Sequence, residues 1–163
     1  MPIKKASMNI HLTCCLKKIL RRQDPNFLDL MSPCGAAIGQ MAYNYNGDIF
    51  TCDEGRMMRD DTFKLGSVFD NSFSEMINLP KVKKITALST NDKLPCISCA
   101  YQPYCGICPA CNYATTRKLI AAETPDTRCR ILKMQFDYLF EKIISEDKLF
   151  KKTINSLQEQ DKK

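Results

Sequence analysis

The stretch CISCAYQPYCGICPAC, Cys96 to Cys111, places five cysteines in sixteen residues of a chain with one histidine and no tryptophan. Pro95, Pro103, Gly106 and Pro109 stand among the sulfurs, which predicts an irregular loop. Two thiolates separated by two residues can grip one metal, because a tight turn points both sulfurs inward while backbone amides donate to them. Cys96-x2-Cys99 and Cys108-x2-Cys111 are such pairs, and Cys105 sits between them.

Ten cysteines in 163 residues exceed ordinary usage. The N-terminal MPIKKASMNIHLTCC has no apolar run long enough for a signal peptide or a membrane span. A cytoplasmic chain is therefore expected, and thiols stay reduced there, so the sulfur argues for metal and against a disulfide scaffold. The length suits about one domain, with enough apolar residues, 44%, for a modest core. The net charge of +6 is spread over scattered lysines and arginines that do not gather with aromatics, which argues against a nucleic-acid groove.

Zinc would use Cys96, Cys99, Cys108 and Cys111 and leave Cys34, Cys52, Cys105 and Cys129 over, enough for a second site but with no reason for so crowded a loop. An iron–sulfur cubane is larger than one ion and commonly takes several cysteines from one loop and a remote one, which accounts for the crowding better. Gly106 would let backbone approach closely.

Outward from the loop, Met8 to Arg22 carries Leu12, Leu16, Ile19 and Leu20 on one face, an amphipathic helix stopped near Asp24-Pro25. Its apolar face has no evident cover in so short a chain. In AAIGQMAYNYNGDIFTCDE two short apolar runs flank Asn46-Gly47, a tight hairpin with positive φ expected at both turn residues. That hairpin brings Cys34 towards Cys52. A short strand is expected over Phe63 to Phe69, then a short helix capped by Asn71 or Ser72 and ended by Pro80. A last helix is expected from about Arg128 to Phe150, followed by a polar, frayed tail at 151–163. The fold class is α+β: a small hairpin and irregular cysteine-rich loops flanked by N- and C-terminal helices.

Cys34-x12-Gly47-x4-Cys52, Cys96-x2-Cys99-x5-Cys105, a nearby sixth cysteine and a later Cys129 resemble the seven-cysteine signature of the SPASM domain. That domain is the C-terminal extension of many radical S-adenosylmethionine (SAM) enzymes that modify peptides. SPCGAAIGQMAYNYNGDIFTCDEGRMM, FKLGSV and YCGICP are most similar to the His-Xaa-Ser system radical SAM maturases. The resemblance runs from about Met8 to Leu149.

It implies two auxiliary 4Fe–4S clusters around which the loops fold. Cys96, Cys99, Cys105 and Cys129 match the ligands of the distal one; Cys34, Cys52 and the sixth cysteine match those of the one nearer the active site. The family leaves three residues between its fifth and sixth cysteines, whereas Cys105 and Cys108 leave two. Cys108 is the choice for the sixth position and Cys111 the reserve. Some relatives add a ligand a few residues before the first cysteine; here the nearest upstream is Cys15, on a helix. The resemblance thus leaves the proximal cluster three-coordinate, open to solvent or substrate, or weakly held.

The CxxxCxxC loop that binds the catalytic cluster of radical SAM enzymes is absent from this sequence. The expected organisation is a late barrel helix and linker at 1–30, the auxiliary cluster domain at 31–150 and the tail at 151–163. The chain reads as the last piece of such an enzyme and by itself should not cleave SAM. The implied partners are a precursor peptide with His-Xaa-Ser-like repeats, a radical SAM core or companion maturase, and an electron donor of the flavodoxin or ferredoxin type. The rival readings are a non-catalytic zinc- or iron–sulfur-binding interaction module and a ferredoxin-like carrier.

Other residues read more plainly. Asp53, Glu54 and Arg56 fit a hairpin-end salt bridge and turn cap better than a proton relay. Tyr43, Tyr45, Tyr101 and Tyr104 fit aromatic packing around the cysteine loops better than an electron path. His11 reads as a surface or interface residue and Cys14 as a small core residue. Lys83, Lys84, Arg128 and Arg130 either offset thiolate charge or form a solvated basic face.

Overall fold

The structure is a computed structural model that describes residues 10–21, 26–58, 60–93, 95–120 and 127–160. The architecture is α+β: a three-stranded antiparallel sheet ordered β1-β2-β3, with seven helices among the described residues.

Helix α1 spans Ile10–Arg21; the expected ends at Met8 and Arg22 and the Asp24-Pro25 stop lie outside the described residues. Most of its apolar face is covered within this chain, with Leu12 and Ile19 packed against the core and Leu20 left exposed. Cys15 and Leu16 are fully buried in one cluster with Leu132, Phe136 and Leu139 of α6 (Thr127–Ile144). The expectation of an uncovered face is corrected: it judged α1 without knowing where the last helix folds back. Burying side chains such as Leu16, Phe136 and Leu139 contributes about 1.5–3 kcal/mol each.

The hairpin joins β1 (Ala42–Tyr43) to β2 (Asp48–Phe50), with Ala42 opposite Phe50 and Tyr43 opposite Ile49. Its turn differs from the two-residue type expected. Gly47 N–H donates to the Asn44 carbonyl at 3.0 Å and Asn44 N–H to the Asp48 carbonyl at 2.8 Å. Gly47 has φ +86°, and Asn46 is not among the positive-φ residues. This is a four-residue turn closed by a left-handed glycine, the next most common hairpin solution. Strand β3 (Lys64–Ser67) pairs with β2, placing Ile49 opposite Gly66.

Helix α2 (Asp53–Met57) starts immediately after Cys52 and carries the expected Asp53–Arg56 ion pair at 3.1 Å. Helix α3 (Phe73–Ile77) has a full capping box between Ser72 and Glu75. Pro80 does more than stop α3: it is the first residue of α4 (Pro80–Leu88), which sequence reading missed although proline is at home in that position.

The cysteine stretch is irregular only up to Cys108, where α5 (Pro109–Thr116) begins. The single C-terminal helix expected over Arg128 to Phe150 is two helices, α6 and α7 (Lys148–Gln160), broken at Glu146, whose φ is +55°. Asp147 Oδ1 accepts from Phe150 N–H at 3.0 Å where α7 starts. Phe150 and Ile154 join the α1–α6 cluster, so much of the expected frayed tail is helix.

A second buried cluster holds Phe50, Phe63 and Ile85 together with Cys34, Cys52 and Cys108. A third, of Ile49, Leu65, Met76 and Val82, ties the sheet to α3 and α4.

Candidate metal centres

The distal set is assembled by consecutive turns. Cys99 N–H donates to the Cys96 carbonyl at 2.9 Å, Gln102 N–H to Cys99 at 3.0 Å and Cys105 N–H to Gln102 at 3.3 Å. Each turn moves the chain on by three residues, and Pro103 within the last one removes a donor that has no partner to meet. Cys129 comes from the first turn of α6. All four sulfur residues, Cys96, Cys99, Cys105 and Cys129, line one cavity of about 40 Å³ with Leu132 and Phe136 among its walls. That exceeds the roughly 10–15 Å³ that a single water needs.

Asn91 holds this loop in place. Its Nδ2 donates to the Gln102 carbonyl at 2.7 Å and to the Cys105 carbonyl at 2.8 Å. Tyr101 and Tyr104 pack on Phe136 and Phe140, with Tyr101–Phe136 stacked at 5.5 Å between centroids, as aromatic packing predicts. Tyr43 and Tyr45 depart from that expectation: they are 58% and 98% exposed.

The proximal set lies at the far end of the hairpin. Cys34, Cys52 and Cys108 share one buried cluster, and Cys111 packs against it. Cys34 N–H donates to Ser89 Oγ at 3.1 Å. Cys52 Sγ accepts from Gly55 N–H at 3.3 Å, and Cys108 Sγ accepts from Cys111 N–H at 3.4 Å. Cys52 and Cys108 thus cap α2 and α5, and their amide donors are of the kind that tune a thiolate bound to metal.

Burial pushes the Cys52 thiol up to about 12 and the Cys105 thiol up to about 11. Cys34 is raised for the same reason. Cys108 moves the other way, because the Cys111 thiol and N–H both donate to its sulfur; Cys111 is correspondingly raised. Arg128 opposes the rise at Cys105 and adds to the fall at Cys108.

The remaining residues sort clearly. Cys15, not Cys14, is the fully buried member of α1, and it lies close enough to Cys105 to raise its own thiol further after burial has done so. Cys14 is only partly buried. His11 lies edge-on to Phe27 at 5.5 Å and within 3.7 Å of Cys15 Sγ. Of the four singled-out basic residues, Arg128 acts electrostatically on a cysteine of each set, Cys105 and Cys108. Asn91 and Ser89 were missed by sequence reading, since no local signal marks a polar residue that acts on a distant loop.

The donor set is soft and thiol-only, with Cys34, Cys52 and Cys108 buried and the others partly so, which fits iron–sulfur ligation. Among the described residues no three Cys, His, Asp or Glu side chains converge on a single-ion site. A cubane, held by its sulfurs through different iron atoms, asks for the wider spacing of a shared cavity.

Residues 34–112 match the SPASM family model, an iron–sulfur cluster-binding domain. The match begins at Cys34, ends just past Cys111 and takes in seven of the ten cysteines; Cys14, Cys15 and Cys129 fall outside it. No curated protein matches the chain. Among the described residues, no helix is long and apolar enough to cross a membrane.

Proposed function

We propose that this chain is the auxiliary module of a radical SAM enzyme that modifies a ribosomally made precursor peptide. Cys96, Cys99, Cys105 and Cys129 hold a distal 4Fe–4S cluster, and Cys34, Cys52 and Cys108 hold a proximal one. The observation that carries the reading is the single cavity lined by Cys96, Cys99 and Cys105 together with Cys129 from a separate helix. The match over residues 34–112 supports it independently.

When bound, such clusters supply one-electron redox chemistry at potentials set by burial, local charge and hydrogen bonds to sulfur. The chain's own residues supply those three controls. Leu132, Phe136 and Phe63 provide dry surroundings, Gly55 and Cys111 N–H groups donate to sulfur, and Arg128 contributes a fixed positive charge between the sets. The module relays electrons from a flavodoxin- or ferredoxin-type donor in the cytoplasm, or anchors the peptide, which by resemblance carries His-Xaa-Ser-like repeats. SAM cleavage belongs to a radical SAM core or companion maturase.

Anaerobic purification with iron, sulfide and zinc analysis tests the reading. A brown chain with iron and sulfide in equal amounts and broad visible absorbance is expected. A colourless chain with stoichiometric zinc would replace it with a zinc-binding interaction module.

A further inference from the structure

We propose that Cys111 is the fourth thiolate of the proximal centre, beside Cys34, Cys52 and Cys108. The proposal rests on the reading of those three as ligands, and it replaces the choice between Cys108 and Cys111 with the use of both.

The local geometry of Cys108-Pro109-Ala110-Cys111 carries the argument. Cys108 occupies the N-cap of α5 in extended conformation, and Pro109 starts the helix. An N-cap side chain turns back over the first turn to meet the N–H groups two and three residues on. Cys108 Sγ does this, accepting from Cys111 N–H at 3.4 Å, so the two cysteines meet at the start of the helix. Cys111 in turn packs against the buried cluster that contains Cys34, Cys52 and Cys108. Four thiols from three segments therefore belong to one core cluster, though not at single-ion spacing: Cys34 before the hairpin, Cys52 at the N-cap of α2, and Cys108 and Cys111 at the start of α5.

Elimination points the same way. Of the ten cysteines, seven are taken by the two sets, leaving Cys14, Cys15 and Cys111. Cys14 and Cys15 sit on α1 and belong to the other core cluster, beside Cys105. They cannot reach the proximal set without α1 leaving its place against α6. Only Cys111 is on hand, and it stands in for a ligand that would otherwise come from upstream of Cys34.

On ligation the Sγ–H bond of Cys111 is replaced by an Fe–Sγ bond and one proton is released; no electron is gained or lost. Four protein thiolates leave no iron open at that centre. The proximal site then suits electron relay and cannot anchor substrate through a vacant iron, which decides between the two roles left open above.

The test compares wild type with Cys111→Ala and Cys111→Ser after anaerobic reconstitution and reduction. Iron and sulfide are measured, and cyanide is added as a small ligand for an open iron while electron paramagnetic resonance is recorded. Wild type is expected to hold about eight irons, four per cubane, with a spectrum that cyanide leaves unchanged. Each Cys111 variant is expected to lose up to about half the iron or to gain a cyanide-dependent spectral change. Cys111→Ser keeps the side chain's size, so a folding defect in the alanine variant does not decide the matter. A wild-type spectrum that shifts with cyanide, or Cys111 variants equal to wild type in iron and cyanide response, would overturn the proposal. Cys52→Ala separates the two levels. Full iron in that variant sinks the ligand reading underneath, whereas iron loss there with wild-type behaviour in both Cys111 variants sinks Cys111 alone.

Discussion

Arg128 Nη1 donates to the carbonyl of Gly106 at 3.0 Å, and through that contact the start of α6 holds the turn that separates the two cysteine sets. Gly106 follows Cys105 of the distal set and precedes Cys108 of the proximal one. The other arm of the guanidinium donates to the Asp29 carbonyl at 2.9 Å, and Asp29 Oδ1 lies 3.6 Å away as a counter-charge. One cation therefore fixes the geometry of both sets and places positive charge beside sulfurs that become anionic on ligation.

Arg128→Gln should separate those two roles from simple surface charge. It leaves two carbonyls short of a donor, so a stability loss of about 1–3 kcal/mol is expected from chemical denaturation of the iron-free chain. In the loaded chain, removal of the cation should make reduction harder, a shift to more negative potential measurable by redox titration. Lys83→Gln, a change at an exposed position on α4, should move neither.

Gly106 answers to packing. A Cβ built there would lie 2.5 Å from the Met31 carbonyl oxygen and 2.7 Å from that of Asp29, and both obstacles are backbone. Gly106→Ala must push the cysteine turn away from residues 29–31, at about 1–3 kcal/mol. Because the turn belongs to both sets, iron should fall at both centres. Loss confined to one centre would show that the turn is not shared in the way argued.

Burial gives the thiols a definite pH dependence. In the folded, iron-free chain Cys52 is raised to about 12 and Cys105 to about 11, above the ordinary 9.0. An acid whose folded pKa is raised favours folding while it keeps its proton. That stabilisation is full below about pH 9 and fades as pH climbs towards about 12. Denaturation midpoints of the iron-free chain should therefore fall across that window. Ligation needs the thiolates, so loading must release protons and should be weaker at lower pH, which a titration in weak buffer reads directly.

Much of this was legible from residue spacing. The hairpin at Asn46-Gly47, the Ser72 cap and α1 follow from short-range patterns, whereas the grouping of Cys129 with Cys96, Cys99 and Cys105, which line one cavity, comes only from the family resemblance. The misses are of one kind. The cover over α1, the break at Glu146 and the use of Asn91 and Ser89 all depend on contacts between distant segments, which no local pattern records. The helix starting at Pro109 was hidden by the prolines and glycine around it, although proline at the first helical position is a start signal as much as a breaker.

The central claim is that two separate cysteine sets each hold a cluster. Iron and sulfide in anaerobically reconstituted Cys99→Ala, Cys52→Ala and the double variant test it most directly. Each single variant should keep about half of the wild-type iron, about four per chain, and the double variant close to none. A single substitution that strips all the iron from a still-folded chain, or a double variant that retains the iron of either single one, would contradict the two-centre account.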